Sequence, residues 1–269
     1  MLARTSRGAA WLWLLAALLA AGWPAPVPGS AGPGGRDAAA GLDPRGWTVW
    51  ADVSGELAAL AFDGDPWTEW TAGGAGRAEL RLDLGKPETI NRVYWQAGGA
   101  GPPERFEIAG SSDGETWFPI SDSETGLYVV DESGLQVLFA PATVQHVRLR
   151  VEAGPAGELS LSELEVYGPG QPVRVRIYNF KYLPETVLVA KGTTVVWVNE
   201  DGPPHTVTGG LPADPPQSRL FDSAGQAEGR YDLMMQGDRW SFTFHHEGVY
   251  DYFCLPHTFM VARVKVVDP

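Results

Sequence analysis

The chain has 269 residues, 44% of them hydrophobic, which suffices for two ordinary domains and excludes disorder as the default reading. Its net charge is −13, and the acid is concentrated: residues 41 to 170 carry 8 basic and 21 acidic side chains, against 9 and 11 in residues 171 to 269. That balance excludes a binder of phosphate backbones, so no nucleic acid partner is expected. A single cysteine, Cys254, excludes an intrachain disulfide and calls for another explanation.

In chain order, the start M-L-A-R-T-S-R is basic and is followed by G-A-A-W-L-W-L-L-A-A-L-L-A-A-G-W. An apolar stretch of roughly 16 residues after a basic start reads as a secretory signal peptide, placed at residues 1–31, and falls short of the roughly 20 that a spanning helix needs. Export to the periplasm, cell surface or extracellular space is expected, with membrane anchoring only if this segment is retained. The Pro-, Gly- and Ala-rich residues 32–43 read as a flexible leader.

From residue 44 to 168 short apolar runs alternate and are separated by Gly, Asp, Asn and Pro clusters, as at Glu79 to Leu84; no helical period appears. This is the pattern of an all-β sandwich. The pieces A-F-D-G-D-P-W-T-E-W, L-R-L-D-L-G-K-P-E-T-I-N-R-V, F-E-I-A-G-S-S-D-G-E-T-W, H-V-R-L-R-V and S-L-S-E-L-E-V-Y-G resemble those of a discoidin domain, the module of coagulation factors and many carbohydrate-binding modules. The resemblance implies a jelly-roll sandwich with binding loops at one end. It also implies a structural calcium held by Asp63, Asp65, Thr68 and Glu163 with the carbonyls of Leu60 and Ser162, a hard-oxygen set that suits that ion. Trp70 and Trp117 fall at core positions of the family. Trp67 and Trp47 are open to two readings, stacking platforms for a sugar ring or core packing. The expected partner is a surface glycan or, alternatively, a protein face.

The turn-rich segment Tyr167 to Pro172 ends one strand pattern and precedes the next, giving a linker at 169–172 that is expected to permit some reorientation of the flanking domains. From 173 to 269 the strands resume at Val173 to Ile177, Val195 to Asn199, Trp240 to Phe244 and Val261 to Val267. In Y-D-Y-F-C-L-P-H-T-F-M-V-A-R-V-K-V-V, read as strand, loop and strand, Tyr250, Tyr252 and Cys254 share one face, and Met260 shares the apolar face of Ala262, Val264 and Val266. A seven-residue loop therefore carries a thiolate and a thioether at its ends with His257 between them, and His205 is a fourth donor from N-E-D-G-P-P-H-T-V.

Two imidazoles, a thiolate and a weak thioether suit one type 1 copper ion, since soft sulfur favours Cu(I) and imidazole suits Cu(II). Zinc would gain nothing from Met260, a dinuclear copper centre would want a second cysteine, and His245 and His246 read as a solvated strand end. The ordered set V-V-W-V-N, H-T-V-T, L-F-D-S and G-V-Y-D-Y-F-C, with the loop C-L-P-H-T-F-M, resembles a cupredoxin of the plastocyanin, amicyanin and halocyanin type. The resemblance implies a Greek-key sandwich of eight strands, His257 as the ligand closest to solvent, and an apolar rim at Pro256 and Phe259. It also implies that Asn199 ties the ligand loops together, while Leu255 stands where such loops often carry a hydroxyl, so that tie is expected to be lost or moved to backbone. Met234 and Met235 are the alternative axial donors. The expected function is single-electron transfer between redox partner proteins rather than enzymatic turnover, because four protein ligands leave no open position for a substrate. The alternatives are a copper-dependent oxidoreductase fed by the discoidin-like domain and a copper-binding protein without redox duty.

Overall fold

The computed structural model describes residues 27–28, 41–154, 157–225 and 232–269. The signal segment and leader fall outside these, apart from Val27–Pro28 and residues 41–43. Among the described residues no helix is long and apolar enough to cross a membrane.

The first domain comprises β1 (Val27–Pro28), β2 (Thr48–Ala51), β3 (Trp70–Thr71), β4 (Arg77–Ala97), β5 (Arg105–Ser111), β6 (Phe118–Asp122), β7 (Leu127–Asp131), β8 (Gly134–Glu152) and β9 (Ser160–Tyr167). The two long strands make the sandwich. β4 and β8 pair antiparallel, and register shifts between Asp83 and Glu88 and between Ile90 and Arg92 let each pass from one layer to the other. One layer runs β1-β2-β4-β8-β5-β6, and the other is built where β9 joins β3 to β4 and β7 joins β8. Strict alternation puts Leu80, Leu82, Val147, Leu149 and Ile108 into the core between the layers. The opposite face of the first layer is charged: Glu79 lies 2.5 Å from Arg81 and 2.7 Å from Arg150, and Glu107 lies 3.3 Å from Arg148. This is the jelly-roll sandwich expected for the first domain.

The second domain comprises β10 (Val173–Tyr178), β11 (Lys181–Leu183), β12 (Thr186–Ala190), β13 (Thr194–Asn199), β14 (Thr208–Gly209), β15 (Arg239–Thr243), β16 (Gly248–Phe253) and β17 (Val261–Val267). They form two four-stranded sheets, β11-β10-β13-β15 and β12-β17-β16-β14. The parallel pairs β10 with β13 and β12 with β17 cannot be closed by hairpins and impose the Greek-key connections between sheets. The core is aromatic: the Trp197 ring lies 5.4 Å from Tyr252 and 6.3 Å from Phe221, all three buried. Such rings each bury a large apolar area, and valines of both sheets fill the space between them.

One open reading is decided and one expectation is revised. Trp47 is 5% exposed and packs edge-on against Phe62 in the first core, so it is no stacking platform. Trp117 is half-buried on the charged face, 4.8 Å from the Arg148 guanidinium, rather than in the core. Periodicity places a Trp on a strand or loop but does not say which layer covers it.

Candidate metal centre

Cys254 follows directly on β16, and Met260 directly precedes β17, so antiparallel pairing of these strands holds both ends of the loop. The loop is closed by its own backbone: Cys254 N donates to Met260 O at 3.1 Å, His257 N to Cys254 O at 3.2 Å, and Met260 N to His257 O at 2.8 Å. His205 arrives from the other side, its backbone exchanging hydrogen bonds of 3.0 and 2.9 Å with Met234. The two residues form an isolated antiparallel bridge.

The side chains converge. Cys254 Sγ lies 3.6 Å from His205 Nδ1 and 3.5 Å from His257 Nδ1, and the three atoms lie within 4.8 Å of one another. Metal–nitrogen bonds of about 2.0–2.1 Å and a metal–sulfur bond of about 2.3 Å, at angles between tetrahedral and trigonal, require N···S separations of about 3.6–3.8 Å. The donors therefore fit one ion. Cys254 and His205 are fully buried, and His257 is half-buried. Burial raises the Cys254 thiol above its ordinary value and lowers the His205 imidazole below its own, so the surroundings favour the neutral form of each. Met260, 3% exposed, packs in the same core as Cys254.

Residues 171–267 match the model of copper binding proteins of the plastocyanin/azurin family. Amicyanin of Paracoccus versutus is 35% identical over 98 residues, 36% of this chain and 67% of that relative. The chain belongs to the plastocyanin/azurin family. Amicyanin of Paracoccus denitrificans is 33% identical over 92 residues, which span 34% of this chain and 63% of that relative, less than two thirds of its length. Residues 47–164 match the F5/8 type C domain. Among solved structures, a purple cupredoxin from Nitrosopumilus maritimus is 30% identical over 35% of this chain and 98% of that one, with a TM-score of 0.29. The CBM32-5 module of Clostridium perfringens, in complex with GalNAc-β-1,3-galactose, is 23% identical over 45% of this chain and 95% of that one, with a TM-score of 0.40.

Support around the cupredoxin site is dense. Asn199, fully buried, donates from Nδ2 to Met234 O at 2.8 Å and to Pro203 O at 3.1 Å, and its Oδ1 accepts from Asp201 N at 2.9 Å. It therefore pins both segments that meet at His205. The missing hydroxyl at position 255 is replaced from across the site: Leu255 N donates to Thr206 Oγ1 at 2.8 Å, and Thr206 N points at Cys254 Sγ at 3.4 Å.

Two residues escaped the sequence reading. Asp201 is buried, and its Oδ2 lies 3.0 Å from His205 Nε2, which holds the imidazole with Nδ1 turned to the metal side. The same carboxylate accepts from Asn179 N at 2.6 Å and Phe180 N at 2.8 Å. Both of those residues have positive φ, 50° and 56°, in the two-residue turn between β10 and β11. The turn carries Phe180 onto the site, its ring 5.0 Å from His257 and 5.6 Å from His205. Phe180 and Phe259, 37% and 73% exposed, rim the half-buried His257 together with exposed Pro256. Asn179 suits such a turn, but a phenylalanine at positive φ where glycine usually stands weakens the hairpin signal, which is why the sequence hid Phe180.

Met235 is exposed, while Met234 is buried. His245 and His246 are exposed as expected.

In the first domain, Asp63 and Asp65 turn inward on their own loop. Thr68 Oγ1 donates to Asp63 Oδ2 at 2.8 Å, Asp65 N to Asp63 Oδ1 at 2.8 Å, and Trp67 N to Asp65 Oδ1 at 3.0 Å. Leu60 lies in the short 3-10 segment before this loop, and Ser162 and Glu163 are buried in β9. Among the described residues, the one cluster of three or more His, Cys, Asp and Glu side chains able to share an ion is the His205, Cys254 and His257 set.

Proposed function

We propose that the chain is an exported single-electron carrier with one type 1 copper held by His205, Cys254, His257 and Met260. The observation that carries this reading is the convergence of two Nδ1 atoms 3.6 and 3.5 Å from one buried thiol sulfur. Copper bound there would supply a one-electron couple between Cu(I) and Cu(II). The chain's own residues do the rest. Asp201 and the loop hydrogen bonds hold the donors in one arrangement, so little moves on electron gain or loss. Buried Tyr252 and Trp197 belong to the apolar core that also holds Cys254 and Met260, and the Phe180 and Phe259 rim offers an apolar contact at the edge of His257. With four protein donors no position is left for a substrate, which favours a carrier over an oxidoreductase.

The test is to add Cu(II) to the purified chain and to Cys254→Ser. The wild type turns intensely coloured through thiolate-to-copper absorption, and the variant does not. A colourless wild type that binds stoichiometric copper would sink the assignment.

For the first domain the proposal is an anchor that binds a surface glycan through the loop of Trp67, which is 70% exposed beside Asp63 and Asp65. A calcium ion bound by Asp63, Asp65, Thr68 and Glu163 with carbonyls of Leu60 and Ser162 belongs to the same proposal. No binding on a calcium-replete glycan array would leave a spacer or protein-docking role instead. Export is supported by the basic-then-apolar run of residues 1–22, and sequencing the amino terminus of the mature protein checks it.

A further inference from the structure

Strand β12 lies at the edge of its sheet, with β17 on one side. Successive residues of a strand turn their backbone N–H and C=O groups to opposite sides, so β17 satisfies one set and Thr186 and Leu188 present the other outward. An unpaired edge of this kind is normally hydrated or blunted. Here all four outward groups meet side chains of the first domain. Thr186 N donates to Asp131 Oδ2 at 3.0 Å, and Gln136 Nε2 donates to Thr186 O. Leu188 N donates to Gln136 Oε1 at 2.9 Å, and Arg92 Nε donates to Leu188 O at 3.0 Å. Arg92 Nη2 also donates to Gln136 Oε1 at 2.8 Å, which ties the two side chains to each other.

We infer that Asp131, Gln136 and Arg92 act as a surrogate strand that clamps the cupredoxin edge, so that the two domains form one rigid, cooperatively folded unit.

Three further observations converge on this. Leu188 faces away from the cupredoxin core yet is fully buried, which only a cover from outside that sandwich achieves. Gln136 and Arg92 are 0% and 2% exposed, and the buried Arg92 guanidinium is held there by acceptors for Nε and Nη2 and by the Tyr167 ring 4.4 Å beneath it, while Nη1 has no hydrogen-bond partner. Separation would strip Arg92 and Gln136 of their main-chain partners in the same step that bares the edge. A second contact sits on the other cupredoxin sheet, where the Trp67 ring lies 5.3 Å from Tyr178 of β10. Contacts on two sheets oppose a hinge at 169–172, contrary to the reorientation expected from linker composition alone.

The test needs no metal. In the full chain, hydrogen exchange should protect the amides of Thr186 and Leu188 to within tenfold of those of Val187 and Val189, which face β17. Gln136→Ala should speed Leu188 exchange at least tenfold while sparing Val187 and Val189. If that variant does not fold, Asp131→Ala should release Thr186 alone. Nitrogen relaxation should give one tumbling time for both domains, also after a Gly/Ser insertion at 169–172. Wild-type Thr186 and Leu188 amides that exchange as in an unprotected chain, or two separate tumbling times, would overturn the inference.

Discussion

Replacing Asp201 with alanine tests whether one carboxylate organises both the imidazole and the rim of the metal centre. The side chain is 8% exposed and holds three groups, the amides of Asn179 and Phe180 and Nε2 of His205. Hydrogen bonds to a charged acceptor contribute about 1.5–3 kcal/mol each, and two residues in left-handed conformation cost about 1–2 kcal/mol each to hold. These terms are not additive, and water replaces part of what is lost, so Asp201→Ala is expected to cost about 3–5 kcal/mol, less than the sum of the three hydrogen bonds and the two strained residues. Because the lost partner also orients His205, copper affinity should fall about 10–100-fold. Urea denaturation of the metal-free chain measures the first quantity, and competition with a copper chelator measures the second. Asp201→Asn keeps the shape and an acceptor oxygen and should fall between wild type and alanine in both. An alanine variant with the wild-type midpoint and wild-type copper affinity would refute the idea that this carboxylate organises the site.

Other expectations follow from the first domain. Trp47→Ala should lose about 3–5 kcal/mol in thermal or chemical denaturation, as for a large aromatic removed from a core; an unchanged midpoint would contradict its burial. Burial pushes the Glu79 carboxyl up, but Arg150 and Arg81 outweigh it and hold the carboxyl below its ordinary 4.5. Its contribution to stability is therefore complete above the ordinary carboxylate range and is lost as the pH falls through the depressed value, so Glu79→Gln should flatten the acid limb of a stability–pH curve without altering the limb above neutrality. Calcium should raise the melting temperature of the full chain, and Asp63→Ala should abolish that increment; equal melting with calcium and with chelator would remove the ion from the proposal.

How much was legible depends on distance along the chain. Cys254, His257 and Met260 lie within seven residues, so their spacing alone declares a ligand loop, and β-alternation predicts which strand faces carry them. The two sandwiches were legible for the same reason, since alternation is local. Asp201 was not: four residues before His205 it reads as one more acid in a Glu-Asp-Gly-Pro turn, and its role appears only when the β10–β11 turn comes beside it. Arg92 and Gln136 were hidden more thoroughly. Each sits in a strand whose pattern specifies one buried face, and nothing local states that the opposite face is covered by another domain.

The hydrogen bond from Leu255 N to Thr206 Oγ1 moves a constraint from a side chain to the main chain. Every amino acid except proline offers that N–H, so position 255 is released to drift in evolution, while Thr206 inherits the restriction. Among relatives that share this arrangement, variation should therefore concentrate after the cysteine and be suppressed after the distant histidine, the reverse of what the short ligand loop by itself would suggest.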